Sequence, residues 1–163
     1  MVKIGLLSDT HGHIDPKIFQ YFDKVDEIWH AGDVGDVSVI DKLSEFKAVR
    51  GVYGNIDNVQ ARNEFPEHLK FTCEGVNVWM THIGGYPPRY NQRIRNEIQM
   101  SPPDLFVCGH SHILKVMPDK KLNLLHMNPG AIGKHGFHKV RTMLRFNIAD
   151  GKIQNLIVIE YPR

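Results

Sequence analysis

Cysteine is scarce in this 163-residue chain: Cys73 and Cys108 are the only two, no CxxC pair occurs, and Cys108 falls inside the apolar run Leu105-Phe106-Val107-Cys108. That usage argues for reduced, partly buried thiols and against a disulfide. Long hydrophobic runs are missing as well, so nothing in the chain is long enough to span a bilayer. Met1 to Leu7 reads as a strand passing straight into Ser8-Asp9 and lacks the pattern of a secretory leader; the expected location is the cytoplasm, with no membrane partner. Charge of one sign is not in excess: 20 Lys plus Arg against 18 Asp plus Glu leaves +2. Long nucleic acid therefore has no electrostatic claim on the protein. Repeats, low-complexity tracts and linkers are absent too, which predicts one domain over residues 1–163. What stands out is histidine, present 10 times.

The pattern of elements changes along the chain. Val2 to Leu7, Glu27 to Ala31 and Ala48 to Tyr53 are short apolar runs suited to buried strands. Between them, Asp15-Pro16 opens a helix carrying Ile18, Phe19, Phe22 and Val25, and Val37 to Phe46 is a second helix with Val39, Ile40 and Leu43 inward. Right-handed crossovers would make these strands parallel. Beyond them, Leu69 to Cys73 and Val76 to Thr81 flank a turn at Glu74-Gly75, Tyr90 to Met100 reads as a helix, and Asp104 to Cys108 as another buried strand. Only strands follow: Leu114 to Met117, Leu122 to Met127, Val140 to Ile148 and Lys152 to Ile159. Strands that outlast the last helix predict a second sheet packed on the first, an α/β sandwich of two sheets.

Five short blocks follow apolar segments: Asp9-x-His11, Gly32-Asp33, Gly54-Asn55-x-Asp57, Thr81-His82 and Gly109-His110-Ser111-His112. Loops leaving the carboxyl ends of strands meet on one edge of a sheet, so residues distant in sequence can converge there. In an extended segment Asp9 and His11 would lie roughly 7 Å apart and face the same way, able to share one cation. Alone, the pair reads more readily as an Asp helix cap followed by an exposed histidine. A carboxylate such as Asp33 can bridge two cations, and Asn55 can offer a neutral oxygen. Asp57 is better suited to orienting a ligand than to being one. With His82, His110 and His112 the set mixes nitrogen and oxygen donors and suits Mn, Fe, Zn, Co or Ni.

These blocks, in this order, resemble the calcineurin-like metallophosphoesterase superfamily. The DTHG start, His30-x-Gly32-Asp33 and Asn128-Pro129-Gly130 are similar to its small single-domain bacterial and archaeal phosphodiesterases. The resemblance implies a four-layer α/β/β/α sandwich of two mixed sheets flanked by helices. It also implies two divalent metals, manganese the first expectation, with Ni, Fe, Co or Zn as alternatives. One metal would take Asp9, His11, Asp33 and His112; the other, Asp33, Asn55, His82 and His110. Cations about 3.5–4 Å apart would hold a hydroxide for in-line attack on a small phosphate ester, with no protein nucleophile. Ser8 and Thr10 are then structural. Copies of the chain are expected to associate, as small members of the family do.

One position departs from the pattern. Many members carry a histidine directly after the motif asparagine, where it can protonate a leaving group; here Ile56 stands there and cannot. His13 is a candidate substitute, although its place suits an exposed loop histidine, and His30 either orients a metal ligand or ends a strand. His68, His126, His135 and His138 have no readable partner spacing, with His135 to His138 placed near the rim. Arg89, Arg93 and Arg95 read as a solvated face. The competing expectation is a non-catalytic interaction scaffold like the retromer subunit of this fold; in that subunit the ligand set is altered, whereas the set here is intact.

Overall fold

The computed structural model describes residues 1–163. In chain order the elements are β1 (Val2–Leu7), α1 (Pro16–Tyr21), β2 (Glu27–His30), α2 (Val37–Phe46), β3 (Ala48–Gly51), α3 (Val59–Glu64), β4 (His68–Cys73) and β5 (Val76–Thr81). Then come β6 (Gly85–Tyr86), β7 (Arg89–Tyr90), α4 (Arg95–Met100), β8 (Leu105–Val107), β9 (Leu114–Asp119), β10 (Leu124–Pro129), β11 (Val140–Ala149) and β12 (Lys152–Pro162). Two five-stranded sheets result, ordered β12-β11-β1-β2-β3 and β4-β5-β8-β10-β9, with β6 and β7 as a separate hairpin.

The first sheet is parallel on one side and antiparallel on the other; the second has a parallel centre and antiparallel flanks. In the first, β1, β2 and β3 run parallel, while β11 and β12 are antiparallel. In the second, β5, β8 and β10 run parallel, and β4 and β9 close it antiparallel. Alternation along the strands builds three cores. Ile4 and Leu6 of β1 meet Val78, Met80, Leu105 and Val107 between the sheets. Leu7 and Ile28 face Ile18, Phe22, Val39 and Leu43 of the first two helices. Trp79 and Phe106 turn the other way, onto Tyr90, Ile94 and Ile98 at α4. The expected four layers follow from these three interfaces.

The first three helices start where short polar side chains cap them, whereas α4 has Ile94 at that position and no side-chain cap. Asp15 accepts from Lys17 N, Asp36 from Ser38 N and Asn58 from Ala61 N. Several boundaries differ from the sequence reading. The first helix ends at Tyr21, and Val25 is reached by a turn in which its N–H donates to Phe22 O at 3.2 Å. The helix expected from Tyr90 begins only at Arg95. Tyr90 instead pairs with Gly85, and Asn91 Oδ1 accepts from Arg93 N, a local turn that competes with helix. The third helix, α3, was not read at all, because six residues that bury only Ala61 carry no periodic signal. No helix is long and apolar enough to cross a membrane.

Candidate metal centre

All six parallel strands deliver their carboxyl ends to one edge. The loop after β1 carries Asp9 and His11, that after β2 carries Asp33, and that after β3 carries Asn55; β5 is followed by His82, β8 by His110 and His112, and β10 ends in the Asn128-Pro129-Gly130 turn. Asp9 and His11 converge by a different geometry from the extended one expected. Both take left-handed backbone, at φ 56 and 47, and so do Asp33, His110 and His112. Cross-loop bonds hold this conformation: Asp9 N donates to Gly32 O at 2.9 Å, His11 N to Asp33 O at 3.1 Å and Gly12 N to Val34 O at 2.8 Å. Asp and His tolerate the left-handed region better than branched residues do, which suits them to such turns.

The side chains form two adjoining groups that could each hold a metal ion: Asp9, His11 and His112, and Asp33, His82 and His110. His112 Nε2 lies 3.0 Å from Asp9 Oδ1, and His11 Nε2 lies 3.7 Å from the same oxygen. Asp33 stands between the groups. Its Oδ2 faces His11 Nε2 at 3.5 Å and His82 Nε2 at 3.2 Å, while its Oδ1 accepts from Ile56 N at 3.1 Å. Asn55 Oδ1 adjoins the second group, 3.0 Å from His110 Nδ1.

The arrangement fits divalent cations on its own chemistry. His82 Nδ1 must donate to Ala31 O, at 2.7 Å, which leaves Nε2 as a bare lone pair directed at a carboxylate oxygen. Nε2 of His82 and Nε2 of His11 are both buried without a hydrogen-bond partner. Acceptors facing acceptors in a buried site repel unless a proton or a cation lies between them. Burial alone would push the Asp9 carboxyl up, but His11 and His112 beside it, with Ser8, hold it well below the usual carboxylate range. Asp33 is likewise held down against its burial by His82 and the Ile56 N–H. His11 is raised chiefly by the Asp9 carboxylate beside it, and His82 is raised by Asp33 and Asp9 despite the opposing effect of burial. Burial, followed by the charge of His82, lowers His110.

A scaffold of buried polar groups positions these ligands. Asp57 accepts three backbone bonds, from Val34 N at 3.1 Å, Gly35 N at 2.8 Å and Gly54 N at 2.8 Å, and so ties the Asp33 loop to the Asn55 loop. Thr10 donates its hydroxyl proton to Val34 O at 2.8 Å, so it accepts from His30 Nε2 at 3.0 Å. His30 Nδ1 is then free to accept from Gly32 N at 3.1 Å. His30 is therefore a neutral spacer under the Gly32-Asp33 turn, and complete burial pushes its pKa down to about 4. Ser8 donates to Asp9 Oδ2 at 2.6 Å. Asn128 donates to Gly109 O at 2.9 Å and accepts from Gly130 N at 2.9 Å, which fixes the loop bearing His110 and His112.

His13 stands apart from both groups; its charged neighbours are Lys134, Arg141 and Asp15. The fold brings further residues to the edge, among them His135 and His138, placed near the rim by their sequence position but without readable partners there. The His135 ring stacks on His11 with centroids 4.8 Å apart, and the His138 ring meets His112 edge-on at 5.2 Å. Arg62 donates to Asp57 O at 2.7 Å and lines a cavity of about 390 Å³ with Asn55, His82 and Arg93. For the histidines, the signal was their crowding shortly after Asn128-Pro129-Gly130; for Arg62, no spacing marked it.

Carboxylate and histidine clusters on the common carboxyl edge of two packed sheets define a candidate dinuclear metal centre in an α/β sandwich. A model of the calcineurin-like phosphoesterase superfamily domain matches residues 2–151, and the chain belongs to that superfamily. A probable metallophosphoesterase of Methanothermobacter thermautotrophicus is 30% identical over 135 residues, covering 78% of this chain and 76% of the relative. A probable metallophosphoesterase of Mycoplasma pneumoniae is 27% identical over 170 residues, covering 100% and 99%. Among solved structures, an archaeal phosphodiesterase superposes with a TM-score of 0.76 at 21% identity, covering 96% of this chain and 99% of its own. Vps29 of Chaetomium thermophilum gives a TM-score of 0.77 at 14% identity, covering 99% and 97%. These two structural likenesses establish the shared fold.

Proposed function

We propose that the protein is a metal-dependent phosphodiesterase acting on a small phosphate ester, with manganese as its activating ion. The observation that carries this reading is the placement of Asp33 Oδ2 between His11 and His82, one from each cluster, whose Nε2 atoms are buried and unpartnered. Asp9, His11, Asp33 and His112 would hold one cation, and Asp33, Asn55, His82 and His110 the other. Bound there, divalent cations supply positive charge to the phosphoryl oxygens and acidify an attacking water.

The chain's own residues account for the rest of the requirement. Ile56 N–H fixes one oxygen of Asp33, so the other is the one free to face both clusters. Ala31 O fixes the tautomer of His82, and Asp57 locks the loops that carry Asp33 and Asn55 together. Such preorganised ligands need no rearrangement when substrate arrives. Ser8 and Thr10 are committed to Asp9 and Val34 and serve as supports.

The test is a metal-by-substrate panel on chelator-treated protein, comparing monoesters, linear diesters and cyclic diesters. Manganese is expected to restore hydrolysis of an aryl diester, and Asp33→Asn or His110→Ala to reduce it by at least about 100-fold without unfolding. Full turnover in both variants would overturn the site. The scaffold reading draws support from the likeness to Vps29; stoichiometric partner binding with no turnover under any metal would favour it.

A further inference from the structure

Single exposed apolar side chains are ordinary on a protein surface; a convergent group beside a polar centre is not. Ile56, Ile113 and Phe137 are 46%, 60% and 103% exposed, yet all three line one cavity of about 530 Å³ that also reaches Asp33 and His112. They come from three separate loops, following β3, β8 and β10. The last of these is tied in place. His138 Nε2 donates to Gly133 O at 2.8 Å, and the Arg163 guanidinium donates to Gly136 O and, at 3.2 Å, to His138 O. The loop also lies tightly against the metal-site histidine: a side chain at Gly136 would meet His112 Cε1 at 2.8 Å. Phe137 is thus presented by an anchored loop.

The cavity's chemistry is divided. At its floor stand ligand residues of the candidate centre; Ile56, Ile113 and Phe137 are its apolar side chains, Ser111 and His138 also line it, and the His135 ring stacks on His11 as a flat edge. A phosphoryl group seated at the ligands would place one ester substituent among Ile56, Ile113 and Phe137. Those three side chains offer no hydrogen bond to hydroxyl groups and no fixed charge, but they can cover an aromatic face. The cavity on the other flank differs, because Arg62, Arg93 and His68 line it. An aryl oxide also departs without the proton that the Ile56 side chain cannot supply.

We propose that this cavity is a specificity subsite for an aromatic ester substituent of the substrate, walled by Ile56, Ile113 and Phe137. The inference rests on the phosphoesterase reading above. Its test uses two probes whose carbon–phosphorus bond is not hydrolysed, phenylphosphonate and methylphosphonate, titrated calorimetrically into manganese-loaded protein. Phenylphosphonate is expected to bind about tenfold more tightly. In the Ile113→Ser/Phe137→Ser double variant that preference should shrink to about twofold or less, with methylphosphonate affinity unchanged. Methyl-labelled isoleucine spectra supply a second readout: phenylphosphonate should shift the Ile56 and Ile113 signals beyond the shift caused by methylphosphonate.

Equal affinity for the two probes in the parent protein, or an aryl preference that survives the double variant, would overturn the subsite. So would a concentration-dependent dimer that Phe137→Ser dissociates, since a second copy would then be the occupant. Failure of the parent reading has a separate signature: neither probe binds and no ester is hydrolysed under any metal, and the subsite falls with it.

Discussion

Glu74 and Asp150 lie at the far edge of the two sheets, in the β4–β5 and β11–β12 turns; Asp9, His11, Asp33, His110 and His112 lie at the near edge. All seven take positive φ, between 47 and 73. Glu74 and Asp150 are each followed by a glycine, Gly75 or Gly151, and Gly151 N donates to Glu74 O at 2.8 Å across the two turns. The side chains there are exposed. At the near edge the same conformation occurs in residues stitched between loops, and it aims carboxylates and imidazoles inward. Left-handed backbone costs roughly 1 kcal/mol per residue in either place. In a turn that cost reverses the chain, whereas at the centre it sets ligand directions, and only there is the identity of the side chain constrained.

The strongest way to break this comparison is to add one methyl group at each edge. A Cβ at Gly54 would lie 2.8 Å from Asp33 Cγ and closer still to its Oδ1 and backbone N. Gly54→Ala should therefore displace Asp33 and cut metal-dependent hydrolysis by more than about 100-fold. At Gly75 the nearest atoms to an added Cβ are 3.4 Å away, although φ is +82. Gly75→Ala should cost about 1 kcal/mol in a denaturant titration and leave turnover unchanged. Equal losses of activity in the two variants would abolish the distinction.

Asp57→Ala comes next in size. It leaves three N–H groups without their acceptor, the buried ones of Val34 and Gly54 and the partly buried one of Gly35. A loss of about 3 kcal/mol is expected, together with a 10- to 100-fold weaker manganese affinity measured by calorimetry. Unchanged affinity in a destabilised protein would mean that Asp57 supports the fold and not the ligand geometry.

A pH series sharpens the contrast through His30, which has no counterpart at the far edge. Its folded pKa is about 4 against an ordinary 6.5. Below pH 6.5 the unfolded chain takes up a proton that the folded one refuses, so this contribution is complete above 6.5 and is lost as pH falls toward 4. The difference amounts to about 3 kcal/mol. Urea titrations of chelator-treated protein should show that slope, and His30→Gln should flatten it whatever its absolute stability. A slope unchanged in the variant would assign the acid sensitivity elsewhere.

How much of this was legible beforehand follows the same division. The strand-end blocks and the Glu74-Gly75 and Asp150-Gly151 turns are local signals, and each stands where its chemistry placed it. The left-handed turn at Asp9 and His11 was not legible, because it depends on Gly32, Asp33 and Val34 offering carbonyls from a neighbouring strand. His135 and His138 were unreadable for the same reason: their partners are His11 and His112, more than twenty residues away. Tyr90 was misread because a two-residue hairpin overrode its helical surroundings. Ile56 was read from the missing imidazole, yet its backbone N–H holds Asp33, a contribution that any non-proline residue could make there.

The smallest predicted effect is the most direct test of whether side-chain identity is free at one edge and fixed at the other. Glu74 and Gly75 have φ of 47 and 82, the pattern of a two-residue type I′ turn, for which Asn-Gly is the favoured pair. Glu74→Asn forfeits only an exposed contact with the N-terminal amine at 3.4 Å, which contributes little. It should raise stability by about 0.5 kcal/mol, a melting shift of roughly 1–2 °C, with no change in turnover. Asparagine at position 33 would be equally at ease in left-handed backbone, so Asp33→Asn should keep the fold while removing the charge that two cations would share. One residue type, introduced into one backbone conformation, is thus expected to stabilise the far edge and silence the near one. Unfolding of Asp33→Asn, or destabilisation by Glu74→Asn, would show that the two edges are governed by packing and not by the conformation they share.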